Sequence, residues 1–277
     1  MPLLLLVSLI WAFSFGLIKG RLTGLDSAFI SAARLGLALV VFLPFLRLRG
    51  LTLHTATALV LIGAVQFGAM YLAYNESFRF LHAYEVALFT ITTPILVTLL
   101  ADALEWRLHA RALLAALLAV VATALVVVRS GEIEVTLAGF LLVQLSNAAF
   151  AFGQVLYRRV RARHTALRDR EVFALLYAGA FAVAAVAMVA RGASVTFSPG
   201  QFWVLVYLGV LASGFGFFLW NVGATRVAAG TLAVMNNAKV PLAVACSLLF
   251  FGERASLPWL AASLALMGVA VWLAQRK

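Results

Sequence analysis

Long apolar runs alternate with short polar connections along the whole chain of 277 residues. A membrane-spanning helix needs ~20 mainly apolar residues. Runs of this kind begin near positions 3, 27, 55, 83, 110, 137, 171, 201, 228 and 257. Backbone groups in lipid must be satisfied within the protein, and these runs are too long and too apolar for barrel strands. The pattern predicts an all-α integral membrane protein with ten transmembrane helices.

Composition supports this prediction and excludes a soluble domain. Apolar residues make up 65% of the chain and charged residues only 11%, whereas soluble domains carry about 25% charged residues. The apolar N-terminus has no basic leader, and basic residues follow it where a small-residue cleavage site would lie, so we interpret it as the first helix and not as a signal peptide. One cysteine and four dispersed histidines predict no metal site and no cofactor.

The net charge of +11 indicates how the chain is oriented in the membrane and does not indicate binding of nucleic acid. With ten helices both termini lie on one side, and most basic residues outside the apolar runs fall on that side, above all in segment 158–170. Basic loops stay in the cytoplasm, which predicts a bacterial inner-membrane protein with cytoplasmic N- and C-termini. No aromatic interleaving or soluble fold accompanies the basic cluster, so no nucleic-acid partner is expected.

The chain contains a duplicated helix motif. Residues 90–105 and 237–254 are both apolar runs with a proline near the start and a glutamate close to an arginine at the end. The prolines, Pro94 and Pro241, lie 147 positions apart. Duplicated membrane helices interrupted at matching places are typical of transporters, in which broken helices hold the substrate.

The duplication predicts two repeats, 1–130 and 131–277. A further echo joins Phe13–Gly16 in the first run to Phe150–Gly153 in the sixth. Each repeat contains five helices, an odd number, so the second repeat enters the membrane inverted. We therefore expect a pseudo-two-fold axis in the membrane plane and a central cavity between the two repeats.

These paired motifs resemble the EamA repeats of the drug/metabolite transporter superfamily, over essentially the whole chain. Within it, the chain looks most like bacterial aromatic amino-acid exporters of the YddG type. The resemblance implies a ten-helix inner-membrane exporter with a central cavity. The second repeat has the usual ending, Gly252–Arg254, whereas the first departs from it with Leu104–Arg107.

Both prolines leave a backbone carbonyl without its helical donor, that of Thr90 before Pro94 and that of Asn237 before Pro241. Such carbonyls must find a new partner or line a cavity. One interpretation is that both helix breaks border the substrate, and the other is a plain kink satisfied by neighbouring helices. The polar side chains nearest the breaks are Thr90, Thr92, Thr93, Asn236 and Asn237.

Two cations lie inside apolar runs. A lysine near a helix centre costs ~2.5–3.5 kcal/mol on insertion scales, so Lys239 is predicted either to face the cavity and attract a substrate carboxylate, or to form a buried ion pair with Glu85 or Glu76. Those two glutamates are also candidates for proton coupling. For Arg34 the favoured interpretation is structural, either a bond to backbone or snorkelling to an interface.

Aromatic and amide side chains recur at helical spacing. Tyr71 and Tyr74 belong to an aromatic stripe followed by Asn75, and the sixth run carries an amide-rich stripe, which is implausible facing lipid. Packing between helices is the alternative for both stripes. The predicted substrate-binding residues are Trp11, Tyr71, Tyr74, Asn75, Thr90, Thr93, Asn147, Phe150, Gln154, Tyr157, Trp220, Asn236, Asn237 and Lys239.

The sequence thus predicts a secondary transporter and not an enzyme. The expected activity is export of small metabolites, most of all apolar or aromatic amino acids, by alternating access, with the aromatic preference implied by the resemblance alone. Alternatives are an exporter of cationic drugs, amines or nucleotide-sugars, and a membrane-embedded lipid enzyme. No nucleotide-binding motif is present, and one pathway within ten helices favours a monomer in the lipid bilayer. Proton antiport and facilitated diffusion both stay open.

Overall fold

A computed structural model describes the backbone of residues 1–22, 24–81, 83–127, 136–250 and 257–275. Within these ranges the side chains of 13–16, 18–20, 83–84, 87–88, 126–127, 243–250 and 257 are not described. The Gly252–Arg254 ending of the predicted second repeat and the side chains of the Phe13–Gly16 motif therefore lie outside the described residues.

Every regular element in the described ranges is helical. The α-helices are α1 (Pro2–Arg21), α2 (Ser27–Phe42), α3 (Leu53–Gly63), α4 (Met70–Ser77), α5 (Ala83–Thr90), α6 (Thr93–Glu105), α7 (Ala110–Val127), α8 (Leu137–Arg163), α9 (Asp169–Ala190), α10 (Pro199–Val206), α11 (Gly216–Ala224), α12 (Ala229–Phe250) and α13 (Leu257–Gln275). A helical segment begins within two residues of each predicted start, because apolar length alone determines where such a chain can enter lipid.

Two helices contain π-helical turns. Segment π1 (Ala64–Ala69) joins α3 to α4, and segment π2 (Tyr207–Phe215) joins α10 to α11. The resulting continuous helices, Leu53–Ser77 and Pro199–Ala224, are two of six in the described part that are long and apolar enough to span a bilayer. The others are Ser27–Phe45, Leu137–Arg163, Asp169–Ala190 and Pro258–Gln275. The integral membrane class is thus supported, and the ten-helix arrangement stays a prediction.

The two predicted helix breaks have different outcomes. The helix is interrupted between α5 and α6. Pro94 lies in the first turn of α6, where no helical hydrogen bond needs its missing N–H. At Pro241 the helix continues, and α12 runs through the proline from Ala229 to Phe250. A proline removes one backbone hydrogen bond, and α12 stays helical despite that loss while it packs against α1, α6, α7 and α13.

The carbonyls exposed by the break before α6 are bound by side chains. Asn147 donates from Nδ2 to the Phe89 carbonyl at 2.8 Å, and Asn237 donates to the Ile91 carbonyl at 2.8 Å. Thr93 Oγ1 donates to the Thr90 carbonyl at 2.7 Å. Because α8 and α12 supply two of these donors, the break joins three parts of the fold.

Helices from the beginning of the chain pack mainly on helices from its end. α1 packs on α11 and α12, α2 on α9 and π2, α3 on α9, α4 on α8, and α7 on α13. At α3 and α9 the backbones touch, because a Cβ at Gly63 would lie 1.9 Å from the Leu176 carbonyl oxygen, and one at Gly179 would lie 2.0 Å from that of Val60. Small residues permit this approach of membrane helices.

Candidate functional site

A central cavity lies between α1, α2, α4, α5, α6, α8, α11 and α12. It encloses about 690 Å³ of empty space, including the solvent at its mouth. The lining residues are Trp11, Arg34, Met70, Tyr71, Tyr74, Thr90, Thr93, Ser146, Asn147, Phe150, Phe217 and Lys239.

The cavity brings together eight of the predicted substrate-binding residues. They are Trp11, Tyr71, Tyr74, Thr90, Thr93, Asn147, Phe150 and Lys239. Sequence reasoning missed Met70, Ser146 and Phe217, which carry no distinctive signal in a membrane helix. It also favoured a structural role for Arg34, although a cation in the middle of an apolar run is itself a signal of function.

Aromatic rings form one wall of the cavity. The Trp11 ring centroid lies 5.6 Å from that of Phe217 and 6.1 Å from that of Phe150, both edge-on. Behind it, Trp220 lies at 5.0 Å. The Trp11 indole donates to the Ala212 carbonyl of π2 at 2.9 Å, which fixes the ring plane. Such a wall suits a flat or apolar part of a ligand.

Arg34 lines the cavity and is held by contacts with neighbouring side chains. Its side chain is buried, with 3% exposure for the residue. Nε donates to Ser213 Oγ at 3.1 Å, and Nη2 donates to the Tyr71 hydroxyl. The guanidinium also lies over the Tyr71 ring, 4.3 Å from its centroid. The predicted bond to backbone is therefore wrong for Arg34, since neighbouring hydroxyls are its partners.

Lys239 faces the cavity from α12. Its Nζ lies 5.5 Å from the Trp11 ring centroid, a cation–π distance. The predicted ion pair with Glu76 is wrong, because that carboxylate is bound to Arg191 and Arg79 at 2.6 Å each. Within the described residues no carboxylate lies within ion-pair distance of Lys239 or Arg34.

Glu76 instead joins three helices at one end of the fold. Besides the two arginines, it accepts a hydrogen bond from Ser27 at the start of α2, at 2.8 Å. The hydrogen bond to Glu76 raises the pKa of Arg191, which follows α9, above its usual range. The second predicted coupling residue, Glu85, is buried in α5 with 1% exposure and is not among the lining residues.

A buried polar network lies behind the aromatic wall. Gln154 accepts hydrogen bonds at Oε1 from the Trp220 indole at 3.0 Å and from the Asn236 amide at 3.3 Å. These three predicted substrate-binding residues are absent from the cavity lining. These residues are at most 1% exposed. In this conformation they support the aromatic wall and would not contact a ligand in the cavity.

Three further predicted residues are also absent from the lining. Tyr157 donates to Asp169 at 2.5 Å near the far end of α8. Asn75 donates to Ser31 Oγ at 2.7 Å. Asn237 is bound to the helix-break carbonyl of Ile91. Each stripe contains residues that line the cavity and residues bonded to other side chains, so periodicity could not separate the cavity from its supports.

A cavity between the helices of a membrane protein, lined by aromatic rings, hydroxyls and two cations, suits the binding of a small molecule. The chain belongs to the EamA-like transporter family, which it matches over residues 1–128 and 137–274. It is thus a membrane transporter and not an enzyme, and its apolar helices and bacterial relatives identify it as an integral protein of the inner membrane.

Similar proteins cover nearly the whole chain. It is 44% identical to a probable biotin transporter of Pseudomonas aeruginosa, over 99% of this chain and 96% of that protein. It is 39% identical to the biotin transporter of Salmonella typhimurium, over 99% and 92%, and 40% identical to that of Escherichia coli K12, over 93% and 87%. A solved crystal structure with 19% identity shares the fold with a TM-score of 0.80, over 99% of this chain and 97% of that one.

The relatives change the expectation about substrate and branch. They are named biotin transporters and not aromatic amino-acid exporters of the YddG type. Transport of a small metabolite is supported, whereas the amino-acid substrate is not. The repeat motifs identify the superfamily but carry no information on the ligand, which is why the branch could not be read from them.

Proposed function

We propose that this protein transports biotin, or a monocarboxylate of the same chemical class, through the central cavity. The observation that carries the proposal is the charge of the lining, which among the described residues includes Arg34 and Lys239 and no acidic side chain. Two cations in a low-dielectric cavity favour an anionic ligand. The names of the relatives point to the same class.

The lining also discriminates between the candidate ligands. Biotin has one carboxylate on an apolar chain and an uncharged fused ring with a ureido group. Its ring suits the wall of Trp11, Phe150 and Phe217, and the hydroxyls and amide of the lining can bond the ureido group. An amino acid would bring an ammonium group beside two cations, and a cationic drug would have no counter-charge, so both are less favourable.

The inverted-repeat arrangement belongs to this proposal. Exchanging 1–130 with 131–277 converts the α1–α12 contact into α8–α6, the α2–π2 contact into α9–π1, and α1–α11 into α8–α4, and all of these pairs pack together. This agreement supports two inverted five-helix repeats and alternating access. We further propose a monomer with both termini in the cytoplasm. Export and the mode of coupling stay predictions.

The test is transport by the purified protein in liposomes. Labelled biotin is supplied outside in one series and inside in another, so that uptake and export are both measured. We expect flux above that of empty liposomes, reduced by excess unlabelled biotin and unaffected by phenylalanine or a quaternary amine. Biotin flux equal to that of empty liposomes would contradict the proposed substrate, and competition by phenylalanine would restore the amino-acid class.

Replacing Lys239 by methionine should slow biotin transport about 10-fold at low biotin concentration, because the cavity loses one of its two attractive charges. The matched control is Arg49→Gln, which removes a positive charge from an exposed position outside the cavity. Initial rates in liposomes measure the effect. A Lys239→Met variant that matches Arg49→Gln would show that this lysine has no part in transport.

A further inference from the structure

We infer that Arg34 is the specificity-determining residue of the cavity, and that it binds the substrate carboxylate with the edge of its guanidinium that faces away from Ser213 and Tyr71. The inference deepens the proposed function and rests on it, since it assigns the recognition of the carboxylate to one of the two cations.

The guanidinium is fixed by its contacts with protein. An arginine has five N–H donors in a planar fork. Nε is bonded to Ser213 Oγ, and Nη2 is bonded to the Tyr71 hydroxyl, while Ser213 and Tyr71 contact each other at 3.0 Å. One edge of the fork is therefore held by two neutral hydroxyls and by the Tyr71 ring. Within the described residues nothing binds the donors of Nη1 or the second donor of Nη2. They are left for a ligand, with little loss of side-chain freedom on binding.

The charge of Arg34 has no counter-ion in the described part of the chain. The ion pairs found there involve Glu76, Asp102, Asp169 and Glu171, all near helix ends. Arginine in the middle of a membrane helix is unfavourable without a partner, and a carboxylate is the partner that matches its geometry, with two parallel hydrogen bonds. Since Arg34 lines the cavity, the ligand is placed to supply that carboxylate.

Lys239 is less suited than Arg34 to recognise the substrate carboxylate. Its ammonium lies 5.5 Å from the centroid of the Trp11 ring, and within the described residues no hydrogen bond or ion pair fixes its position. A lysine acts as a point charge and does not distinguish a carboxylate by shape. Lys239 therefore attracts the anion into the cavity, and Arg34 binds it.

The experiment compares biotin with biotinamide, in which an uncharged amide replaces the carboxylate. Dissociation constants for both ligands are measured by calorimetry on the purified full chain and on Arg34→Gln, Arg34→Lys and Lys239→Gln. Hydrogen bonds to charged groups correspond to about 10- to 100-fold in affinity, so the wild-type protein should prefer biotin by that factor. Arg34→Gln should lose most of the preference, and Arg34→Lys should keep part of it. Lys239→Gln, which removes the attraction of a point charge alone, should lose less of the preference than Arg34→Gln.

A purely structural role for Arg34 predicts a different pattern. In that case Arg34→Gln would lower the affinity for both ligands by the same factor and leave the ratio of the two affinities unchanged, which would overturn the inference. Loss of the preference in Lys239→Gln with its retention in Arg34→Gln would also overturn it, as would equal wild-type affinity for the two ligands. Binding of neither ligand by the wild-type protein would contradict the proposed function as well. The Arg34→Lys variant, which keeps the charge, guards against a result caused by misfolding of Arg34→Gln.

Discussion

Replacing Trp220 by alanine is expected to lower the free energy of unfolding by about 3–5 kcal/mol, the usual effect of removing a buried aromatic side chain. Trp220 is 0% exposed, contacts the rings of Trp11 and Phe150, and donates its indole N–H to Gln154. The substitution leaves a void behind the cavity wall and removes one hydrogen bond from the buried network. Thermal unfolding of the purified protein in detergent measures the change.

Trp220→Phe is the matched variant for this prediction. It keeps most of the ring volume and removes the N–H donor, while Gln154 Oε1 still accepts from Asn236 at 3.3 Å. We expect it to be destabilised far less than Trp220→Ala and to transport at near the wild-type rate, because Trp220 supports the wall and is absent from the lining. A stable Trp220→Phe protein without transport would show that the indole acts on the substrate, as predicted from the sequence.

Replacing Gly63 by alanine should lower the free energy of unfolding by about 3 kcal/mol or more, at or above the upper end of the ~1–3 kcal/mol typical of overpacking. The added Cβ would lie 1.9 Å from the Leu176 carbonyl oxygen, and this neighbour is backbone, which cannot move aside as a side chain can. The contact between α3 and α9 would therefore have to open. The same assay of thermal unfolding measures the loss.

Gly268→Ala is the control, since a Cβ at this position in α13 meets nothing within 4 Å. Alanine favours helix more than glycine does, by up to ~1 kcal/mol, so we expect this variant to be unchanged or slightly more stable. Equal melting temperatures for Gly63→Ala and Gly268→Ala would mean that the α3–α9 contact is looser than described.

The helical architecture could be predicted from hydrophobic length alone, because every apolar run must cross or enter lipid as a helix. Local packing could not be predicted. The sequence has a proline at both 94 and 241, yet of these two sites the helix is interrupted at the first and continues through the second. Whether a proline opens a helix depends on which neighbouring side chains can bind the freed carbonyls, and those neighbours come from distant parts of the chain.

The candidate site was recognised in part for the same reason. Lys239 was predicted from the free energy that a charged side chain costs in a membrane helix. Tyr71 and Phe150 were predicted from the helical spacing of aromatic and polar residues. All three line the cavity. Arg34 was assigned to structure because its partner Ser213 is 179 positions away. Gln154 was assigned to the substrate because an amide stripe indicates a polar environment without telling whether that environment is a ligand or another side chain.

The packing of early helices on late ones bears on how the protein is made. When α2 leaves the ribosome, α9 and π2, on which it packs, have yet to be synthesised, so Arg34 enters the translocon long before Ser213 exists. We therefore expect the first helices to be inserted without their final packing partners, and the tertiary packing to form only after most of the polypeptide has been inserted. Polypeptides truncated before α8 should accordingly be substrates for membrane proteases and should not persist as half-transporters.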